Sequence, residues 1–128
     1  MRIQVKDFMS SPVATTIGKK RISEAREKMK REGVHALPVI QYSKKLPMNE
    51  VTIKGIITTT DLIENNDDNL FVNDIMTSNI YVIHKNSSAQ AAAKMMIKRK
   101  VHHLVVMDDG KVIGMLSAMD LVKVLAEE

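Results

Sequence analysis

"VHALPVI" (34–40) and "VHHLVVM" (101–107) are two copies of one short stretch, a valine and a histidine ahead of an aliphatic run, and they stand 67 positions apart. Reading outward at that offset, Val5, Asp7, Met9, Ser11, Ala25 and Met29 recur as Val72, Asp74, Met76, Ser78, Ala92 and Met96. An ungapped period of this size marks a duplicated structural unit that cannot bury its apolar face alone. Downstream the offset falls to 59, where Gly55, Thr58, Asp61 and Leu62 recur as Gly114, Ser117, Asp120 and Leu121. The first repeat is thus longer by eight residues, which fall in "QYSKKLPMNEV" (41–51). That stretch reads as a hairpin loop, where insertions cost least. The repeats divide as 1–66 and 67–128, around a polar connector rich in Asn and Asp at 64–73.

Local periodicity fills in each repeat. "VATTI" (13–17) and "IYVI" (80–83) are short and β-branched and read as strands. Ile22, Ala25, Arg26 and Met29, and likewise Ala89, Ala92, Ala93 and Met96, recur at helical spacing, with Ser23 or Ser87–Ser88 near the start. Gly33 closes the first helix and Lys100 takes its place in the second. "ALPVI" and "HLVVM" are strands again, "DDGK" (108–111) is a tight-hairpin signal, and last helices begin at Asp61 and Asp120. The order per repeat is β-α-β-β-α behind a short leading segment, "VKDFM" or "VNDIM". The fold class is α/β (α+β), two pseudo-symmetric repeats packed as one body.

Composition narrows the chemistry. Apolar residues are 45% and charged residues 27%, the balance of a folded protein rather than a disordered one. Aromatics are only 3% with no Trp, against ten Met, so the core is aliphatic and stacking platforms for single-stranded nucleic acid are lacking. Zero Cys excludes disulfides, thiolate catalysis and Cys-based metal sites. The net charge of +4 is concentrated in 19–32, where Glu24, Glu27 and Glu32 alternate with cations as on a solvated helix face. Nucleic acid is disfavoured as a partner. The opening residues have no apolar leader and no later run is long enough to span a bilayer, so the expected address is cytoplasmic and the membrane is not a partner.

The most informative motif is Gly-x-x-Thr/Ser-x-x-Asp, present as "GIITTTD" (55–61) and "GMLSAMD" (114–120). It sets a hydroxyl and a carboxylate at a strand-to-helix junction, where free amides and the helix dipole favour an anion. Asp61 or Asp120 can accept hydrogen bonds from both hydroxyls of a ribose, while Thr58 or Ser117 donates to a phosphate oxygen. The same spacing is also a helix capping box, and both interpretations stand at this point. His102 and His103, as strand neighbours, point to opposite faces and cannot readily share a metal, and His84 completes no ligand set of recognised spacing. Packing at the strand entrance and phosphate contact both remain open for these histidines. No phosphate-binding loop, dinucleotide fingerprint or nucleophile–base arrangement is present, which argues against an enzyme.

Taken together, "DFMSSPV…RISEAREKMKREGVHALPVI…IKGIITTTDLI" and "DIMTSNI…SSAQAAAKMMIKRKVHHLVVMDDGKVIGMLSAMDLV" resemble two CBS domains in tandem, a Bateman module. The resemblance covers essentially the whole chain. It implies a regulatory, ligand-sensing module that binds AMP, ADP, ATP, S-adenosylmethionine or NAD between the two repeats, AMP or ATP foremost, with no obligatory cofactor. It further implies ribose and phosphate contacts at Thr58, Asp61, Ser117 and Asp120, basic phosphate contacts at His35, His102 and His103, and a base slot along Val13, Thr15 and Thr16 or Ile80, Val82 and Ile83. Each pocket would join that strand to the Asp motif of the other repeat. Ala36 departs from the family pattern, since a second basic residue is usual there. The alternative is a ligand-free interaction module. The family also implies a homodimer through the helices after Asp61 and Asp120, with Leu62, Ile63, Leu121, Val122 and Leu125 as its apolar surface. The regulated protein partner is not specified.

Overall fold

A computed structural model of the chain describes residues 3–11, 13–45 and 48–127. The chain forms two compact units, Ala14–Ile80 and Met1–Val13 with Tyr81–Glu128.

In the first unit, strand β1 (Thr16–Ile17) leads into helix α1 (Ile22–Glu32), strands β2 (Ala36–Lys45) and β3 (Met48–Thr58), and short helices α2 (Thr59–Glu64) and α3 (Val72–Ile75). The sheet order is β1-β2-β3, with β1 parallel to β2 and β3 antiparallel to it. Helix α1 lays Ile22, Ala25 and Met29 on Leu37, Val39 and Ile57 of the sheet, as its apolar spacing requires. Its N-cap is Arg21, whose side chain makes no capping bond, and Ser23 stands near the start as the second helical residue. Strand β1 is shorter than the β-branched run 13–17 suggests, because only Thr16 and Ile17 find partners, at Val39 and Ile40.

The expected hairpin loop at 41–51 is corrected. The β2–β3 ladder continues through Tyr42↔Val51 and out to Lys45↔Met48, so the extra residues lengthen both strands into an arm. Only Leu46 and Pro47 of that stretch lie outside the described residues.

The second unit repeats the plan with β4 (Val82–His84), α4 (Ala89–Arg99), β5 (His103–Asp108), β6 (Lys111–Ser117) and α5 (Ala118–Ala126), in sheet order β4-β5-β6. Here Ser88 is a working N-cap, its hydroxyl accepting from the Ala91 amide at 3.0 Å. The β5–β6 turn places Asp109 and Gly110 at φ 51° and 74°, the left-handed pair that a two-residue hairpin demands. Helices α1 and α4 end alike: Gly33 at φ 66° and Lys100 at φ 56° occupy the same left-handed C-terminal position.

Each unit is completed by the leading segment of the other sequence repeat. Val5, in a 3-10 turn (Val5–Asp7), is fully buried with Ile83, Ala92, Leu104 and Leu116. Val72, on α3, is fully buried with Ile22, Leu37 and Ile57. The backbone bonds match pair for pair: Val5 N–H to Ser87 O at 2.8 Å and Val72 N–H to Lys20 O at 2.8 Å, Lys6 N–H to Lys85 O at 2.9 Å and Asn73 N–H to Gly18 O at 3.0 Å. The sequence repeats and the spatial units thus differ by an exchange of leaders.

Candidate functional site

Both Asp motifs form complete capping boxes. At the β6–α5 junction the Ser117 amide donates to Asp120 Oδ2 at 2.8 Å, and the Asp120 amide donates to Ser117 Oγ at 3.1 Å. At the β3–α2 junction the Thr58 amide donates to Asp61 Oδ2 at 2.9 Å, the Thr58 hydroxyl donates to the same oxygen at 3.1 Å, and the Asp61 amide donates to Thr58 Oγ1 at 3.3 Å. Each carboxylate spends Oδ2 on its helix, and among the described residues Oδ1 takes no bond. Asp61 and Asp120 are half-buried.

The backbone of the leading histidine closes each junction. His102 O accepts from the Ala118 amide at 2.9 Å, and His35 O accepts from the Thr59 amide at 3.0 Å. The expectation of several free amides at these helix starts is therefore corrected. Of the first three amides of α5, two are consumed by the protein itself, and only that of Met119 has no bond among the described residues. The imidazoles of His35 and His102 are exposed. His103 lies opposite Ser117 in the β5–β6 ladder, and Ala36 lies opposite Thr58 at the equivalent place. Directly opposed residues share a sheet face, so one motif has an imidazole beside its hydroxyl and the other a methyl group.

His102, His103, Ser117 and Asp120 are therefore brought together within one unit, and His35, Thr58 and Asp61 within the other. Thr15, Thr16 and Ile80 belong to the unit of Asp61, and Val13 and Val82 to the unit of Asp120. Thr16 is buried at 7% exposure, whereas Thr15, Val13 and Ile80 are half-buried. The Thr15 carbonyl accepts from the Lys28 ammonium. Val82 is exposed and Ile83 buried, as alternation along β4 requires.

Two features escaped the sequence reading. The glycine of each motif serves packing: a Cβ on Gly114 would stand 2.9 Å from Ser10 O and 2.6 Å from Met9 Sδ, and one on Gly55 would stand 2.6 Å from Thr77 O. Only a bare backbone lets the exchanged leader pair with the sheet edge, where Ser10 and Met115 trade bonds at 2.9 and 3.1 Å. The joint recurrence of Met9 with Gly114 and Met76 with Gly55 was the available signal. The second feature is Asp108, which meets Lys85 Nζ at 2.9 Å and His84 Nε2 at 3.7 Å. Its carboxyl is held below the ordinary value chiefly by the Lys85 hydrogen bond; partial loss of solvent opposes this, and the charges of Lys85, His84 and Lys111 add to the lowering. His84 Nδ1 accepts from the Asn86 amide at 3.1 Å, which leaves Nε2 to face Asp108.

With a duplicated β-α-β-β-α unit and its twin capping motifs in place, the comparison with known proteins is direct. The family model for the CBS domain matches residues 5–67 and 72–127, and the chain belongs to that family. It is 26% identical over 122 residues to the CBS domain-containing protein YhcV of Bacillus subtilis (strain 168), covering 91% of this chain and 81% of that one. It is 30% identical over 119 residues to the inosine-5′-monophosphate dehydrogenase of Korarchaeum cryptofilum (strain OPF8), covering 92% of this chain but only 23% of the enzyme. The CBS domain pair of protein MJ0100, solved in complex with 5′-methylthioadenosine and S-adenosyl-L-methionine, matches with TM-score 0.84 and 25% identity over 99% of this chain and 98% of that one. No helix among the described residues is long and apolar enough to cross a membrane.

Proposed function

We propose that the chain is a regulatory module that binds an adenosine-containing ligand and performs no chemistry of its own. The observation that carries this reading is Oδ1 of each motif carboxylate, which takes no bond among the described residues: capping fixes the group through Oδ2 and leaves an oriented acceptor for a ribose diol. The adenosine ligands in the MJ0100 pair support the same class. Asp120 and Asp61 take the ribose, Ser117 and Thr58 the nearest phosphate oxygen, and His102, His103 and His35 further phosphate charge. Val13, Thr15, Thr16, Ile80 and Val82 serve the base. Imidazoles offer fewer donors to phosphate oxygens than guanidinium groups do, which favours AMP over ATP. In this reading the module works in the cytoplasm and reports ligand to a protein partner by binding one arrangement of its halves better than another.

A thermal-shift series with AMP, ATP, S-adenosylmethionine and NAD tests it, since a ligand at 100 times its Kd adds about 2.7 kcal/mol. No shift with any of the four would leave the interaction-module reading, which the completeness of both capping boxes without a ligand also favours.

A homodimer is part of the proposal, with its surface revised. Leu62 is buried in its own unit and Leu121 packs on the α4 core, so neither is available. Ile63 is 80% exposed, and Met119, Val122 and Leu125 line the open face of α5, which buries no residue fully.

A further inference from the structure

Helices α1 and α4 hold equivalent places in the two units, so each serves as a control for the other. Around α1 three cations meet acids: Lys20 meets Glu24 at 3.7 Å, Arg26 meets Asp68 at 3.0 Å and Arg31 meets Glu32 at 3.9 Å. At the 67-residue offset, the three acids Glu24, Glu27 and Glu32 become Ala91, Lys94 and Arg99 on α4, while Lys30 becomes Ile97. Helix α4 contains no acid at all. Lys94, Ile97 and Lys98 fall at i, i+3, i+4 and share one face, with Lys100 at its end. All four are exposed, Ile97 at 78%, and among the described residues none of these cations is ion-paired.

Lys100 adds an independent observation. It holds a left-handed conformation at φ 56° where the other unit uses Gly33, so a cation is kept at a position that would be less strained without a side chain.

We infer that the α4 face is a docking site for an acidic, leucine-bearing segment of a partner protein. Charge complementarity selects an acidic occupant, and the single large aliphatic residue among the lysines selects one with an apolar anchor. One aliphatic side chain is too little to hold a lipid surface, and it would only hinder a phosphate backbone. A symmetric contact with a second copy would set Lys94 and Lys98 against themselves. The inference is independent of the nucleotide reading.

The test is fluorescence anisotropy of the full chain with a fluorescein-labelled peptide of glutamates carrying leucine at every fourth position. The wild type should bind, more weakly as salt rises. Lys94→Glu with Lys98→Glu should lose at least tenfold and Ile97→Ser severalfold, while Lys30→Glu on α1 should bind as the wild type does. Absence of binding, indifference to the α4 changes, or equal affinity for duplex DNA or phosphatidylserine vesicles with Ile97→Ser silent would each overturn the inference.

Discussion

Gly114→Ala tests the exchange of leading segments at one carbon atom. The new Cβ would lie 2.9 Å from Ser10 O and 2.6 Å from Met9 Sδ, so the leader must withdraw from the β6 edge. Withdrawal breaks the Ser10–Met115 bonds at 2.9 and 3.1 Å, worth about 1 kcal/mol each. Full release would also expose the wholly buried Val5, at about 1.5–3 kcal/mol. Partial accommodation is the common outcome of overpacking, at about 1–3 kcal/mol. We therefore expect a loss of about 2–3 kcal/mol, measured by urea unfolding, or a Tm lower by about 4 °C for each kcal/mol. Amide exchange should accelerate at Val5, Ser10 and Met115 before it does in the unit Ala14–Ile80. Adding Met9→Ala should rescue only in part, because the thioether moves away but the Ser10 carbonyl does not. Complete rescue, or a loss below about 0.5 kcal/mol, would refute the view that Gly114 exists for this close approach.

Other expectations can be checked on the same protein. Asp120→Ala should cost about 1 kcal/mol of stability through the lost cap and abolish the tighter nucleotide-binding event in calorimetry, whereas Asp120→Asn should keep the cap and still lose the binding. Asp61→Asn should leave the tighter event in place, because Ala36 stands where the other motif has His103; the opposite assignment in calorimetry would reverse the ranking of the two sites. Lys100→Gly should stabilise by about 0.5–1 kcal/mol in urea unfolding, the left-handed strain relieved less the added freedom of the unfolded chain, and no gain would mean the backbone there is unstrained. Because the Asp108 carboxyl is depressed in the folded protein, its contribution is complete above the unfolded value of about 3.9 and is lost as pH falls through the folded value. Lys85→Met should make acid unfolding shallower in that window, and an unchanged profile would count against the Lys85 contact.

Much of the architecture was legible because it is local and written twice. Helix spacing in 22–32 and 89–99, the Asp-Gly hairpin at 109–110 and the left-handed stops at Gly33 and Lys100 depend on neighbours within a few residues. The identities of Val5 with Val72 and Met9 with Met76 announced that the leaders matter, but sequence order assigned each to the repeat that follows it. Which body a leader joins depends on contacts such as Val5 to Ser87, eighty-two positions apart, and no local pattern encodes them. The arm beyond Tyr42↔Val51 is hidden in the sequence for a related reason: "QYSKKLPMNEV" is polar like a loop, and its strand character comes from the ladder it continues.

Under the proposed function, the capping boxes at Thr58–Asp61 and Ser117–Asp120 prepare the ligand contact instead of competing with it. An unanchored aspartate on the rim of a site would have to lose side-chain freedom on meeting a ribose. Here the Ser117 amide at 2.8 Å has already fixed the Asp120 carboxylate through one oxygen, and the other takes no bond among the described residues. That ordering is complete before any ligand arrives, and preorganisation of this kind raises affinity without adding a contact. On the proposed function the motif uses three residue types at once: glycine so that the leader can hold the strand edge, Thr or Ser to tie the helix start, and Asp to cap with one oxygen and offer the other to the ligand. A purely structural cap would be served as well by glutamate or glutamine at the same position, so Asp120→Gln separates the two roles, preserving the fold while moving the acceptor by a methylene and removing its charge.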